Sequence, residues 1–162
     1  MNIAQINPDS DLSEIVKVLN VSHGTVAEEF GFTRESNPSN NAFIDKTTLK
    51  QQLSNGINLY AMSVNNKITG CVAVEKSAKE KDTFYIEKVS VKPEFRHKGY
   101  GIELMNFACS KIKAEGGRFV SIALIDSNTK LKDWYLKQGF IESGFKDFEH
   151  LPFRVSFMRK EV

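Results

Sequence analysis

The apolar residues first read as a short strand, Ile3 to Ile6, and then recur at helical spacing at Leu12, Ile15, Val16 and Leu19 behind the capping cluster Pro8-Asp9-Ser10-Asp11. Between Ser22 and Asp45 the pattern weakens. Gly24, Gly31 and the run Ser36-Asn37-Pro38-Ser39-Asn40-Asn41 interrupt it, which predicts a helical piece over Val26 to Phe30 and then a long polar loop. A loop of that length in a compact domain serves function or motion. Lys46 to Leu53 reads as a helix, and Ile57 to Val64 with Ile68 to Glu75 as a hairpin about Asn65-Asn66-Lys67. Phe84 to Val91 continues the sheet antiparallel. The chain then changes habit, with a loop, an amphipathic helix over Ile102 to Glu115, the terminator Gly116-Gly117 and the unbroken apolar strand Val120 to Ile125. Leu104, Met105, Ala108, Cys109 and Ile112 form one side of that helix. A strand, a crossover helix and a second apolar strand make a parallel pair with a right-handed connection. A helix over 128–138 and strands near Gly139 to Phe148 and Phe153 to Arg159 complete a mixed α/β sheet with helices on its faces.

The length of 162 residues fits one domain over 1–162. No apolar run approaches the roughly 18 residues of a membrane span, and Met1-Asn2-Ile3-Ala4-Gln5 lacks the features of a signal peptide, so the expected setting is cytoplasmic, with no membrane partner. Cys71 and Cys109 stand outside any C-x-x-C pair and read as reduced packing residues. A net charge of +2, spread along the chain, does not support nucleic acid as a partner. His23, His97 and His150 lack metal-ligand spacing, and no metal is expected.

The most informative stretch is Arg96-His97-Lys98-Gly99-Tyr100-Gly101, between a strand and a helix N-terminus. Glycines let the backbone approach a ligand, the first helical N–H groups lack intrahelical partners, and the macrodipole adds positive charge, so this is a place to hold phosphate. The dinucleotide fingerprint G-x-G-x-x-G fails at Leu104, and G-x-x-x-x-G-K-[ST] occurs nowhere. The stretch does satisfy [RQ]-x-x-G-x-[GA], and in this it resembles the pyrophosphate-binding motif of the GNAT superfamily of acyl-CoA-dependent N-acetyltransferases. A second signature of that family, Asn-x-x-Ala-x-x-x-Tyr-x-x-x-Gly-Phe, is matched from Asn128 through Tyr135 to Gly139-Phe140, with Leu131 in place of alanine.

The resemblance implies a GNAT-like α+β fold: a mixed, mostly antiparallel sheet of six to seven strands with one central parallel pair, flanked by about four helices. It implies acetyl-CoA as cosubstrate and direct attack by a primary amine, from a small molecule or a peptide, on the thioester. The loop from His97 to Gly101, Lys98, Gly99 and Tyr100 included, would offer its amides to the diphosphate, with Arg96 as a phosphate or loop-stabilising contact. Val89, Ser90 and Val91 would present main-chain groups to the pantetheine arm where their strand parts from its neighbour. Asn128 would contact the arm, cap a helix, or both. Tyr135 corresponds to the family tyrosine near the sulfur and is the candidate general acid; packing alone is its other reading. Glu87 is the candidate general base, on the strand leading to the loop and two residues before Val89, where a solvent-facing glutamate is equally common. Acceptor selection is expected from the N-terminal half, the loop over 22–45 and the hairpin around His150-Leu151-Pro152-Phe153; Glu28 and Glu29 either attract an amine or form a solvated helix face. The rival reading is a non-catalytic acyl-CoA-binding sensor or interaction domain. Exposed final strands could pair two copies as a homodimer.

Overall fold

A computed structural model describes all 162 residues. Seven strands form one sheet: β1 (Asn2–Gln5), β2 (Asn58–Val64), β3 (Lys67–Lys76), β4 (Thr83–Val91), β5 (Phe119–Ile125), β6 (Ile141–Asp147) and β7 (Arg154–Glu161). Their order is β1-β2-β3-β4-β5-β7-β6, antiparallel throughout except for β4 and β5. Helices α1 (Ser13–Glu29), α2 (Lys46–Ser54), α3 (Tyr100–Ala114) and α4 (Thr129–Leu136) cover its faces. Leu12, Ile15, Leu19, Leu49 and Leu53 pack on Leu59, Cys71 and Ala73 on one side. Leu104, Met105, Ala108 and Ile112 of α3 pack on Val72, Phe84, Ile86 and Val120 on the other.

The β2–β3 hairpin turns on two residues rather than three, with Asn65 and Asn66 at φ 50° and 59°. Asparagine tolerates this left-handed backbone, and the resulting twist matches the strands. A larger departure from the sequence pattern is α1, which runs unbroken to Glu29 through Ser22 and Gly24, where the pattern was expected to weaken and break before a separate helical piece over Val26 to Phe30. Ser22 and Ala27 extend its buried stripe at helical spacing, so small and polar residues occupy positions where the pattern sought large apolar ones. The loop that follows is anchored: Asn20 Nδ2 donates to the carbonyls of Asn41 and Ile44, both at 3.1 Å.

Two irregularities shape the centre of the sheet. β4 and β5 pair only over Thr83↔Phe119, Phe84↔Val120 and Tyr85↔Ser121, beyond which β5 stays with β7 and a wedge opens beside β4. In β4 the register slips: Glu87 faces Ala73 but Ser90 faces Cys71, three residues against two, with Lys88 at φ 53°. Such a bulge resets the alternation of faces. Glu87 and Ser90 therefore share the face that packs under α1, while Val89 packs with the opposite core, which corrects the expectation that Glu87 and Val89 lie together. At the far edge β6 is exposed along its whole length, with Ile141 and Phe145 open. Cys71 and Cys109 are unpaired. No helix is long and apolar enough to cross a membrane.

Candidate active site

Beyond β4 the chain makes a 3-10 turn at Pro93–Phe95 and enters α3 through His97 at φ 60° and Gly99 at φ 83°. Gly99 is the residue before the helix, and its left-handed backbone is what glycine supplies without strain. Consecutive amides from His97 to Ile102 have no acceptor within the protein. They form a concave row of donors at a helix N-terminus, suited to an anion with several oxygens. The helix begins two residues earlier than expected, so Tyr100 and Gly101 belong to its first turn. A Cβ on Gly101 would stand 3.2 Å from the Trp134 ring, so this glycine also lets α3 and α4 approach.

Arg96 turns inward. Its Nε donates to the Val91 carbonyl at 3.1 Å and a terminal nitrogen to the Ser22 carbonyl at 2.8 Å, which is the loop-stabilising arrangement of the two foreseen. Lys98 does not line the cleft; its Nζ donates to the Glu94 carbonyl at 3.3 Å.

The wedge between β4 and β5 is a cleft of about 1260 Å³ that runs from this loop past Val89, Ser90 and Val91 to the face under α1. Asn128 and Tyr135 line it from α4; His23, Glu75, Glu87 and Lys88 line it from α1, β3 and β4. Asn128 Oδ1 accepts the Leu131 amide at 3.2 Å, so the residue caps α4. Tyr135 is only 6% exposed, packed edge-on against Trp134 and Phe140, and burial pushes its phenol up and keeps it protonated. Glu87 Oε1 is buried without a hydrogen-bond partner. Burial raises the proton affinity of Glu87, the Lys88 charge lowers it and the Glu75 charge raises it again.

The profile of the acetyltransferase (GNAT) family matches residues 26–140, well over half of the chain. The chain belongs to this family. Its fold is shared by GNAT-like solved structures at low identity. A ribosomal-protein-alanine N-acetyltransferase from Brucella melitensis superposes with TM-score 0.75 at 16% identity, covering 100% of both chains. A GNAT family acetyltransferase from Elizabethkingia anophelis with acetyl-CoA bound gives 0.71 at 17%, covering 99% of this chain and 97% of that one. PaiA N-acetyltransferase from Thermoplasma acidophilum, in complex with coenzyme A, gives 0.75 at 17%, covering 99% and 98%. No curated protein matches the sequence at a significant level. No group of three or more His, Cys, Asp or Glu side chains is arranged to hold a metal ion.

Three polar residues of this GNAT cleft escaped the sequence pattern: His23, Lys88 and Glu75. Lys88, 5% exposed, sits on the bulge and sends Nζ to Asn41 Oδ1 at 2.9 Å; burial lowers its proton affinity. Ser90 Oγ donates to the Lys88 carbonyl and lies 3.0 Å from His23 Nε2, which ties α1 to the bulged strand. Helical spacing from Leu19 would have placed His23 on the buried side of α1. Burial, with Lys88 and Arg96 nearby, lowers its pKa from 6.5 to about 4. Between those values the unfolded chain takes up a proton that the folded chain refuses, so stability falls as pH falls through this window. The expected loss from His23 is about 2 kcal/mol by pH 5 and about 3 kcal/mol by pH 4. Urea midpoints of native protein and His23→Gln at pH 7 and pH 5 check this: the native protein should lose more stability than the variant, and parallel losses would refute it.

Proposed function

We propose that this protein transfers the acetyl group of acetyl-CoA to a primary amine by direct attack, without a covalent enzyme intermediate. One observation carries the reading: a single cleft joins a row of unpartnered amides at a helix N-terminus to a buried, unpartnered carboxylate and a protonated phenol. The amides of His97 to Ile102 hold the diphosphate, and Arg96 keeps the loop against Val91 and α1. Val89, Ser90 and Val91, freed from pairing with β5, offer main-chain groups to the pantetheine amides, and Asn128 adds its side-chain NH₂ while its oxygen caps α4.

At the reacting end the amine enters protonated and must lose a proton before its lone pair attacks the thioester carbonyl. Glu87, whose proton affinity is raised, takes that proton directly or through one water. As the tetrahedral adduct collapses, the C–S bond breaks and Tyr135 gives its proton to, or hydrogen-bonds, the departing thiolate. The acceptor amine approaches from the α1 side, where Glu29, Asn41, Leu151 and Phe153 line the cleft. A ribosomal-protein-alanine N-acetyltransferase among the structural neighbours is consistent with an amine acceptor on a peptide, and the fold equally serves small molecules.

Thermal unfolding with and without acetyl-CoA tests the cosubstrate. At about a hundred times its dissociation constant, acetyl-CoA should add about 2.7 kcal/mol, an upward shift that ATP does not reproduce. No shift at saturation removes the acetyltransferase reading. A specific shift without thiol release across an amine panel returns the chain to an acyl-CoA-binding sensor.

A further inference from the structure

Glu75 has no part in the mechanism above, yet the register of β3 and β4 places it beside Glu87. Glu87 faces Ala73 and Glu75 faces Tyr85, so the two glutamates are diagonal neighbours across the strand pair, on the face under α1. Diagonal neighbours stand about 7–8 Å apart, near enough for two long side chains to meet around one ammonium. Neither carboxylate makes an ion pair within the protein, and the Glu75 charge is among the causes that raise the proton affinity of Glu87. Lys88, on the same wall, gives its hydrogen bond to Asn41 instead.

An independent feature points the same way. Asn37, in the loop after α1, lines this cleft at 2% exposure with its Oδ1 lacking any partner. Three orphaned atoms belong to residues that line the cleft: Glu87 Oε1 and Asn37 Oδ1, which as carboxylate and amide oxygens accept, and Ser22 Oγ, which can accept or donate; Glu29 adds a third carboxylate from the end of α1. Buried polar atoms call for partners; every orphaned atom in the cleft lining can accept, and an alkylammonium supplies three donors.

We propose that Glu75 is the second carboxylate of the acceptor site and that, with Glu87, it selects a cationic amine bearing no carboxylate of its own. This rests on the acetyltransferase reading. Glu75 and Glu87 clasp the incoming ammonium, and Glu75 remains with it while Glu87 takes the proton. A carboxylate carried by the acceptor meets Glu29, Glu75 and Glu87, while Lys88, the cation on this strand, is held by Asn41.

Calorimetric titration of the CoA-saturated protein tests this without turnover, using 1,4-diaminobutane and 4-aminobutyrate as probes of equal length that differ at one terminus. The native protein should bind the diamine about ten-fold or more tightly than the amino acid. Glu75→Gln should lose about ten-fold or more of the diamine affinity while its CoA affinity is unchanged. Equal binding of the two probes, equal diamine binding by native protein and variant, or no diamine binding to the CoA complex overturns the proposal. The probe comparison in native protein stands even if the variant misfolds. Failure of CoA itself to bind is a separate result, which overturns the acetyltransferase reading and this inference with it.

Discussion

Replacing Glu87 by glutamine should lower kcat/KM for acetyl transfer by about 10²–10⁴-fold while leaving acetyl-CoA affinity unchanged. Glutamine keeps the shape and one oxygen but cannot accept the amine proton. Loss of fold is not the expected cause of this fall. Burial holds the carboxyl above its ordinary pKa, so its charge opposes folding at neutral pH, and removing that charge should leave the thermal midpoint at or above the native one. The pH profile gives a second readout. A base acts only when deprotonated, so native activity should rise with pH along a limb displaced upward from that of a free carboxylate, burial being the largest cause and Lys88 partly offsetting it. Glu87→Gln should lose this limb. A fall of less than ten-fold, or an unchanged acid limb, would exclude Glu87 as the base.

Gly70→Ala should cost about 3 kcal/mol of stability and weaken acetyl-CoA binding together, although residue 70 touches neither substrate. Gly70 faces Val91 across the strand pair, and a Cβ there would enter the Ser90 carbonyl oxygen and stand 3.2 Å from Leu104 Cδ1. Its backbone is ordinary, so the requirement is space alone. The neighbour that must yield is backbone, not a flexible side-chain end, and it belongs to the strand proposed to hold the pantetheine arm. Chemical denaturation and CoA titration of the same variant check both effects. A native-like midpoint would mean that β4 can retreat freely, against the tight β3–β4 contact.

Much of the fold was legible because its cues are local. An apolar run marked β4, helical spacing marked α3, and the strand-helix-strand succession between them marked the one parallel pair. The glycine turn before α3 was legible for the same reason: Gly99 takes a left-handed backbone, and a helix start exposes amides whatever surrounds it. Among the candidate residues, Glu87, Asn128 and Tyr135 all line one cleft, as do Val89 to Val91. The pattern misled where burial and polarity part company. Ser22 and His23 look like the end of an amphipathic helix, yet both belong to the inner side of α1: Ser90 meets the His23 ring, and Arg96 holds the backbone there through the Ser22 carbonyl.

What the amino-acid sequence determined by itself is the order and kind of the elements, the crossover and the glycine turn at the start of α3, since each depends on residues a few positions apart. Only the tertiary structure decided how the site is equipped. The bulge at Lys88 moved Glu87 to the face of Ser90 and away from Val89, and no periodicity carries the position of an inserted residue. Lys88 reaches Asn41 across 47 positions, His23 reaches Ser90 across 67, and Glu75 lies diagonal to Glu87 only through strand register. Such pairings, and the proton affinities that burial imposes on them, arise from chain segments brought together by folding, so they have no local trace to read.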